Sequence, residues 1–252
     1  MPNLGLHIGF ALDCGRRLGH SIVDEHRGAF LFGSTTPDIR LFAGWERERT
    51  HFFKLTTDPC GVGVEGLFQA NPNLRKSERL SRETVAFMLG YMTHLHTDER
   101  WIVQVFRQFF GEGSALSKDP MVQVLDRAFQ FDLDRRERKN IDDLEGAIDS
   151  MRDACNRVEV GFIDGELLRQ WLGIAVGRVG RDLPWDRFRG MVHRVRRDID
   201  ETEVERTLAA VPEMLEKVHA HVNEAEMSAF RENAIQDFVA SATDYLGQGQ
   251  VH

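Results

Sequence analysis

Apolar residues return every three or four positions from Val85 through Met88, Leu89, Met92, Leu95, Ile102, Val105, Phe106 and Phe109, the spacing of a mostly buried helix. Ser81 with Glu83 in the first turn supplies a start signal, and Gly111 with Gly113 an end, so the pattern predicts one helix from Ser81 to Phe110. A second apolar run predicts a helix near Leu6 to Leu18. Between them the chain is rich in glycine, histidine and aromatics and reads as irregular, with room for short strands between residues 20 and 70. From Ser117 onward apolar and charged positions alternate with helical period. Candidate helices there span Pro120 to Asp132, Asp134 to Val158, Asp164 to Val179, Pro184 to Arg197, Glu201 to Val222 and Glu224 to Leu246. The expected fold class is all-α, with a metal-binding half over residues 1–113 and an amphipathic helical half over 114–252, packed as one continuous domain.

The metal expectation comes from polar residues inside the longest apolar helix. His94 and Asp98 are four positions apart, so they return to one face about one turn from each other. Burying them is unfavourable unless something pairs with them. For an isolated His-x3-Asp a simple hydrogen bond is the commoner solution, and a shared metal ion the rarer one. Gly90, one turn before His94, would leave room on that face, whereas His96 falls on the opposite side and reads as structural. Upstream, Asp38 ends the turn-rich segment Gly33-Ser34-Thr35-Thr36-Pro37-Asp38, His51 lies beside Phe52 and Phe53, and His7 lies in or just before the first helix. Each alone has an ordinary reading as a turn, core-edge or helix residue. Together they form a donor set of imidazoles and carboxylates drawn from separated elements, as hard or borderline divalent metals prefer. Cys14, two turns beyond His7, reads as an ordinary buried thiol, and His193, His219 and His221 as packing or surface residues.

The order His7, Gly33 to Asp38, His51-Phe52 and Ala86 to Asp98 resembles the zinc-dependent phospholipase C family, which is helical and related in fold to the zinc-dependent single-strand nucleases. The resemblance covers about residues 1 to 110. It implies Asp38, His51, His94 and Asp98 around one metal ion, and His7, with the free N-terminal residue, around a second that shares Asp98. It also implies zinc, one or two ions, and hydrolysis of a phosphoester, with Asp98 bridging and Asp38 beside the attacking water as a proton acceptor. Two departures stand out. Gln104 occupies the position of a further histidine, and no His-x3-Glu follows, so a third ion is not expected; the chain also begins Met1-Pro2 rather than with a tryptophan.

Composition narrows the partners. The 252 residues are 42% hydrophobic and 29% charged with a formal net charge of −8, which disfavours general affinity for nucleic-acid backbone or anionic membrane. The basic clusters Arg135 to Lys139 and Arg194 to Arg197 read as solvated helix faces. Three widely spaced cysteines, Cys14, Cys60 and Cys155, exclude a disulfide framework and fit a cytoplasmic setting. Neither a secretory leader nor a membrane anchor is expected. The reading is a metal-dependent hydrolase for a small phosphoester or a phospholipid headgroup. Iron- or manganese-dependent redox chemistry on the same ligands, and a noncatalytic helical interaction protein, are the alternatives.

Overall fold

The computed structural model describes residues 3–56 and 60–247, and among them no strand occurs. The first half runs through α1 (Leu4–Leu18), α2 (Ser21–Glu25), α3 (Arg27–Thr35), a 3-10 turn at Thr36–Ile39, α4 (Arg40–Ala43), α5 (Glu48–His51), α6 (Val62–Ala70) and α7 (Arg82–Arg100). The second comprises α8 (Val122–Asn140), α9 (Leu144–Met151), α10 (Gly165–Val179), α11 (Arg189–Val195), α12 (Glu201–Ala209), α13 (Val211–His219) and α14 (Glu224–Gly247). The all-α expectation holds, and the segment allowed to contain strands is built of short helices.

α7 is the axis of the molecule. Ser81 caps it by accepting the Thr84 N–H at 3.1 Å, and every residue from Thr84 to Glu99 is buried. α3 and α14 pack along it, and α1 touches all three. The α3–α7 approach is set by two glycines. A Cβ on Gly90 would lie 1.8 Å from the Phe30 carbonyl oxygen, and one on Gly33 would lie 2.0 Å from that of Phe87. Gly90 therefore does not open the ligand face, as the sequence suggested; it lets the α3 backbone seat against α7.

Beyond Arg100 the helix continues as a π-helix over Trp101–Phe110, closed by the Gly111 N–H on the Phe106 carbonyl. The expected single α-helix is thus α-helical only to Arg100. Trp101 packs there against Phe129 and Phe230, tertiary contacts to which a local periodicity is blind.

α1 is held by a carboxylate from the other half. Asn3 makes no side-chain cap, and the Leu6 N–H instead donates to buried Asp134 of α8 at 2.9 Å. Arg138 binds Asp134 at 2.9 Å and also caps the Val179 carbonyl of α10 at 2.7 Å, while Glu137 accepts from Arg231 at 2.8 Å. The Arg135 to Lys139 run is therefore partly structural rather than a solvated face, because α8 packs against α1. Nor does the helix break near Leu133. No glycine or proline interrupts Val122–Asn140, and the interruption falls at Ile141, before Asp143 caps the Gly146 N–H. The expected Glu201 to Val222 helix divides at Ala210, where Pro212 opens α13.

The glycine contact yields a contrast. Gly90→Ala should destabilise the fold by about 3 kcal/mol because backbone must move to admit the methyl group. Gly173→Ala, on the exposed face of α10 with nothing within 4 Å of the new atom, should stabilise it by about 0.5–1 kcal/mol. Denaturant unfolding measures both, and equal effects would contradict the assigned α3–α7 contact.

Candidate metal centre

Four separate elements deliver the five sequence-selected residues to one place. His7 comes from α1, Asp38 from the 3-10 turn after α3, His51 from the last position of α5, and His94 and Asp98 from α7. Phe52, the residue after His51, takes a left-handed conformation at φ 59° that ends α5 at once. A bulky residue adopts that region at a cost of about 1–2 kcal/mol, here offset by an edge contact with Phe162 at 5.6 Å. His7, His94 and Asp98 offer ligand atoms within 4.8 Å of one another, as do Asp38, His51 and His94.

Protons can be placed from the hydrogen bonds. His94 Nδ1 lies 2.7 Å from the Ser34 carbonyl, an acceptor only, so this nitrogen carries hydrogen. Thr50 Oγ1 donates to the Pro37 carbonyl at 2.8 Å, so at 3.1 Å it accepts from His51 Nδ1–H. The neutral forms of both rings then present bare Nε2 atoms, which lie only 3.3 Å apart. Asp98 Oδ2 is 3.1 Å from the His51 Nε2 and 3.5 Å from that of His94. Lone pairs of the two Nε2 atoms and of Asp98 Oδ2 converge, a donor set suited to a cation. Across the cluster, His7 Nε2 lies 3.6 Å from Asp98 Oδ1, and neither atom has a hydrogen-bond partner. The two Asp98 oxygens thus face different histidines.

Arg47 was not singled out from the sequence. It begins the turn that His51 ends, and its Nη2 donates to Asp98 Oδ2 at 2.9 Å. Its spacing of four from His51 was the available signal. Its guanidinium lies 4.7 Å from the centre of the Phe53 ring. Burial opposes ionisation of Asp98, but the neighbouring His94 and the Arg47 guanidinium outweigh it and hold the carboxyl well below the usual range. Burial pushes His7 down to about 3, with His94 adding to the effect, and burial with Arg47 pushes His51 to about 3.

Comparison of the chain with family models, with curated proteins and with solved structures finds no match. The geometry therefore carries the functional argument.

The remaining candidates lie elsewhere. His96 points away, its Nε2 3.0 Å from Ser241 on α14. Cys14 is in the apolar core outside both triads, and burial raises its pKa. His193 pairs with Glu201, His219 stands edge-on to Phe129, and His221 is exposed. Gln104 lies in the π-helix with its Oε1 buried and unpartnered. Met1 and Pro2, and with them the N-terminal amine, lie outside the described residues. A surface cavity of about 580 Å³ lined by Leu18, His20 and Arg82, among others, shares no residue with the cluster.

Acid should destabilise the metal-free protein. His7, His51 and His96, the last pushed to about 4 by burial, favour the fold while neutral; their contribution is present above pH 6.5 and lost as pH falls towards their folded values. Glu99, raised by burial to about 7, acts oppositely, its contribution present below pH 4.5 and lost as pH rises through 7. Asp134, also raised by burial, acts in the same sense as Glu99, so three groups oppose two and the thermal midpoint should fall between pH 6.5 and 4.5. A flat or rising midpoint would contradict these assignments.

Proposed function

We propose that the protein is a metal-dependent hydrolase acting on a phosphoester through a mono- or dinuclear His/Asp site, similar in its ligand order to zinc-dependent phospholipases C. The observation that carries this reading is the convergence of three acceptors, His51 Nε2, His94 Nε2 and Asp98 Oδ2, within 3.5 Å of one another in a site closed to solvent, where Asp98 Oδ2 also accepts from Arg47. Arg47 compensates the carboxylate, but the two imidazole Nε2 atoms, 3.3 Å apart, repel each other unless a cation lies between them.

Zinc is the metal proposed for His51, His94, Asp98 and Asp38, with His7 and the second Asp98 oxygen available to another ion; when bound it supplies Lewis acidity at a phosphoryl oxygen and lowers the pKa of a water. The chain supplies the rest. Ser34 and Thr50 fix the two imidazole rings through their Nδ1 atoms, so both Nε2 atoms stay aimed inward. Asp38, at 9% exposure, is the most accessible of the five and is the residue proposed to accept a proton from the attacking water. The buried walls exclude bulk solvent, which strengthens every charge interaction within.

The polar groups also admit a metal-free reading, favoured by the Arg47–Asp98 ion pair, in which they form only a structural core. No helix among the described residues is long and apolar enough to cross a membrane; a soluble phosphoester is the proposed substrate, and the three widely spaced cysteines are the ground for proposing a cytoplasmic setting. The two readings are separated by metal content and turnover. Protein dialysed after zinc loading should retain at least one equivalent and hydrolyse a soluble phosphomonoester or phosphodiester. His94→Ala should lose most of the metal and at least about 100-fold of the activity. His96→Ala, an equally buried histidine two residues away, should keep both. Equal loss in both variants with helicity intact, or no retained metal in the parent protein, would overturn the proposal.

A further inference from the structure

The five candidate ligands leave one part of the site unexplained. Arg47 is buried to 8% exposure, yet only Nη2 is engaged; Nε and Nη1 have no hydrogen-bond partner. Two unpartnered donor nitrogens on a buried cation are costly, and such a cost is ordinarily removed by an acceptor.

Position suggests which acceptor. His7, His51, His94 and Asp98 are at most 1% exposed, whereas Asp38 and Arg47 keep 9% and 8%. Asp38 and Arg47 are thus the members of the site nearest solvent. Charge gives its chemistry. Asp38 and Asp98 are the acidic members of the cluster, and one divalent ion would balance their two negative charges. Glu99 lies outside both ligand triads, its carboxylate turned to the Gly61 and Gly63 N–H groups at 2.6 Å. Arg47 thus leaves the loaded site with a surplus positive charge, matched by an anionic ligand and not by a neutral ester or amide.

We infer that Arg47 is the site's oxyanion receptor: it keeps Nη2 on Asp98 and turns its free N–H groups to an oxygen of a phosphoryl group bound beside Asp38. The inference rests on the metal-dependent reading and names the feature that selects a phosphoryl ligand over an uncharged one. Arg47 has two roles in sequence. In the metal-free protein it is the counter-ion of Asp98, and once a cation lies among His51, His94 and Asp98 its charge is free for the ligand.

Inorganic phosphate is the direct probe. Zinc-loaded, dialysed parent protein, Arg47→Met and Arg47→Lys are titrated with phosphate by calorimetry, and zinc content is measured on the same samples. Phosphate should bind the parent. Arg47→Met should keep its zinc and bind phosphate about 10- to 100-fold more weakly, the scale of a lost hydrogen bond to a charged group, while Arg47→Lys should fall between the two. Unchanged phosphate affinity in zinc-loaded Arg47→Met overturns the inference, as does loss of zinc from both variants, which would make Arg47 only a support for Asp98. Absence of phosphate binding to the zinc-loaded parent overturns it too. A parent that takes up no zinc instead overturns the metal reading, so the two failures are distinguishable.

Discussion

Asp98 sits in the last turn of α7, where solvent is excluded, and the geometry around it follows from the need to keep that carboxylate ionised. An unpaired buried carboxylate would cost several kcal/mol or take up a proton. Here three imidazoles and a guanidinium from three other points in the chain surround it, and only the guanidinium supplies a permanent charge. Neutral histidines pushed low by burial cannot neutralise a carboxylate, but they can share a cation with it. The cluster is therefore one proton-poor, acceptor-rich unit whose stability depends on the positive charge placed beside it.

That unit is positioned by contacts remote from any ligand atom. Gly33 and Gly90 bring the backbones of α3 and α7 together, and this approach puts the Ser34 carbonyl within reach of His94 Nδ1. Asp134 holds the first turn of α1, which sets the depth at which His7 stacks on His94, their ring centres 3.6 Å apart. The second half of the chain is thus part of the site's construction, although it contributes no candidate ligand. α8 anchors the helix that carries His7, α14 packs along the helix that carries His94, and α9 covers α3.

Much of this was legible in the sequence because local signals and tertiary demands agree. Ser81, an unbroken apolar period and a terminal glycine define the long helix, and His94 and Asp98 are conspicuous because few reasons exist to bury such residues together. The reading failed where the deciding partner lies far away in sequence. Gly90 was assigned to the ligand face because periodicity shows which face a residue occupies, not which backbone approaches it. The π-helical continuation depends on Trp101 meeting Phe129 and Phe230, and Arg138 looked solvated because its acceptors, Asp134 apart, lie some 40 residues downstream. Arg47 escaped notice for a chemical reason: arginine is not a metal ligand, and its role emerges only when the charge around Asp98 is counted.

The central claim is that His51 Nε2, His94 Nε2 and Asp98 Oδ2 form a cation site and not merely a polar core. Anomalous diffraction at the zinc absorption edge, from crystals grown with equimolar zinc, addresses it most directly. A peak is expected within bonding distance of those three atoms, with Asp38 on its open side. No peak there, with the two Nε2 atoms still facing each other and Arg47 the sole cation on Asp98, would contradict it.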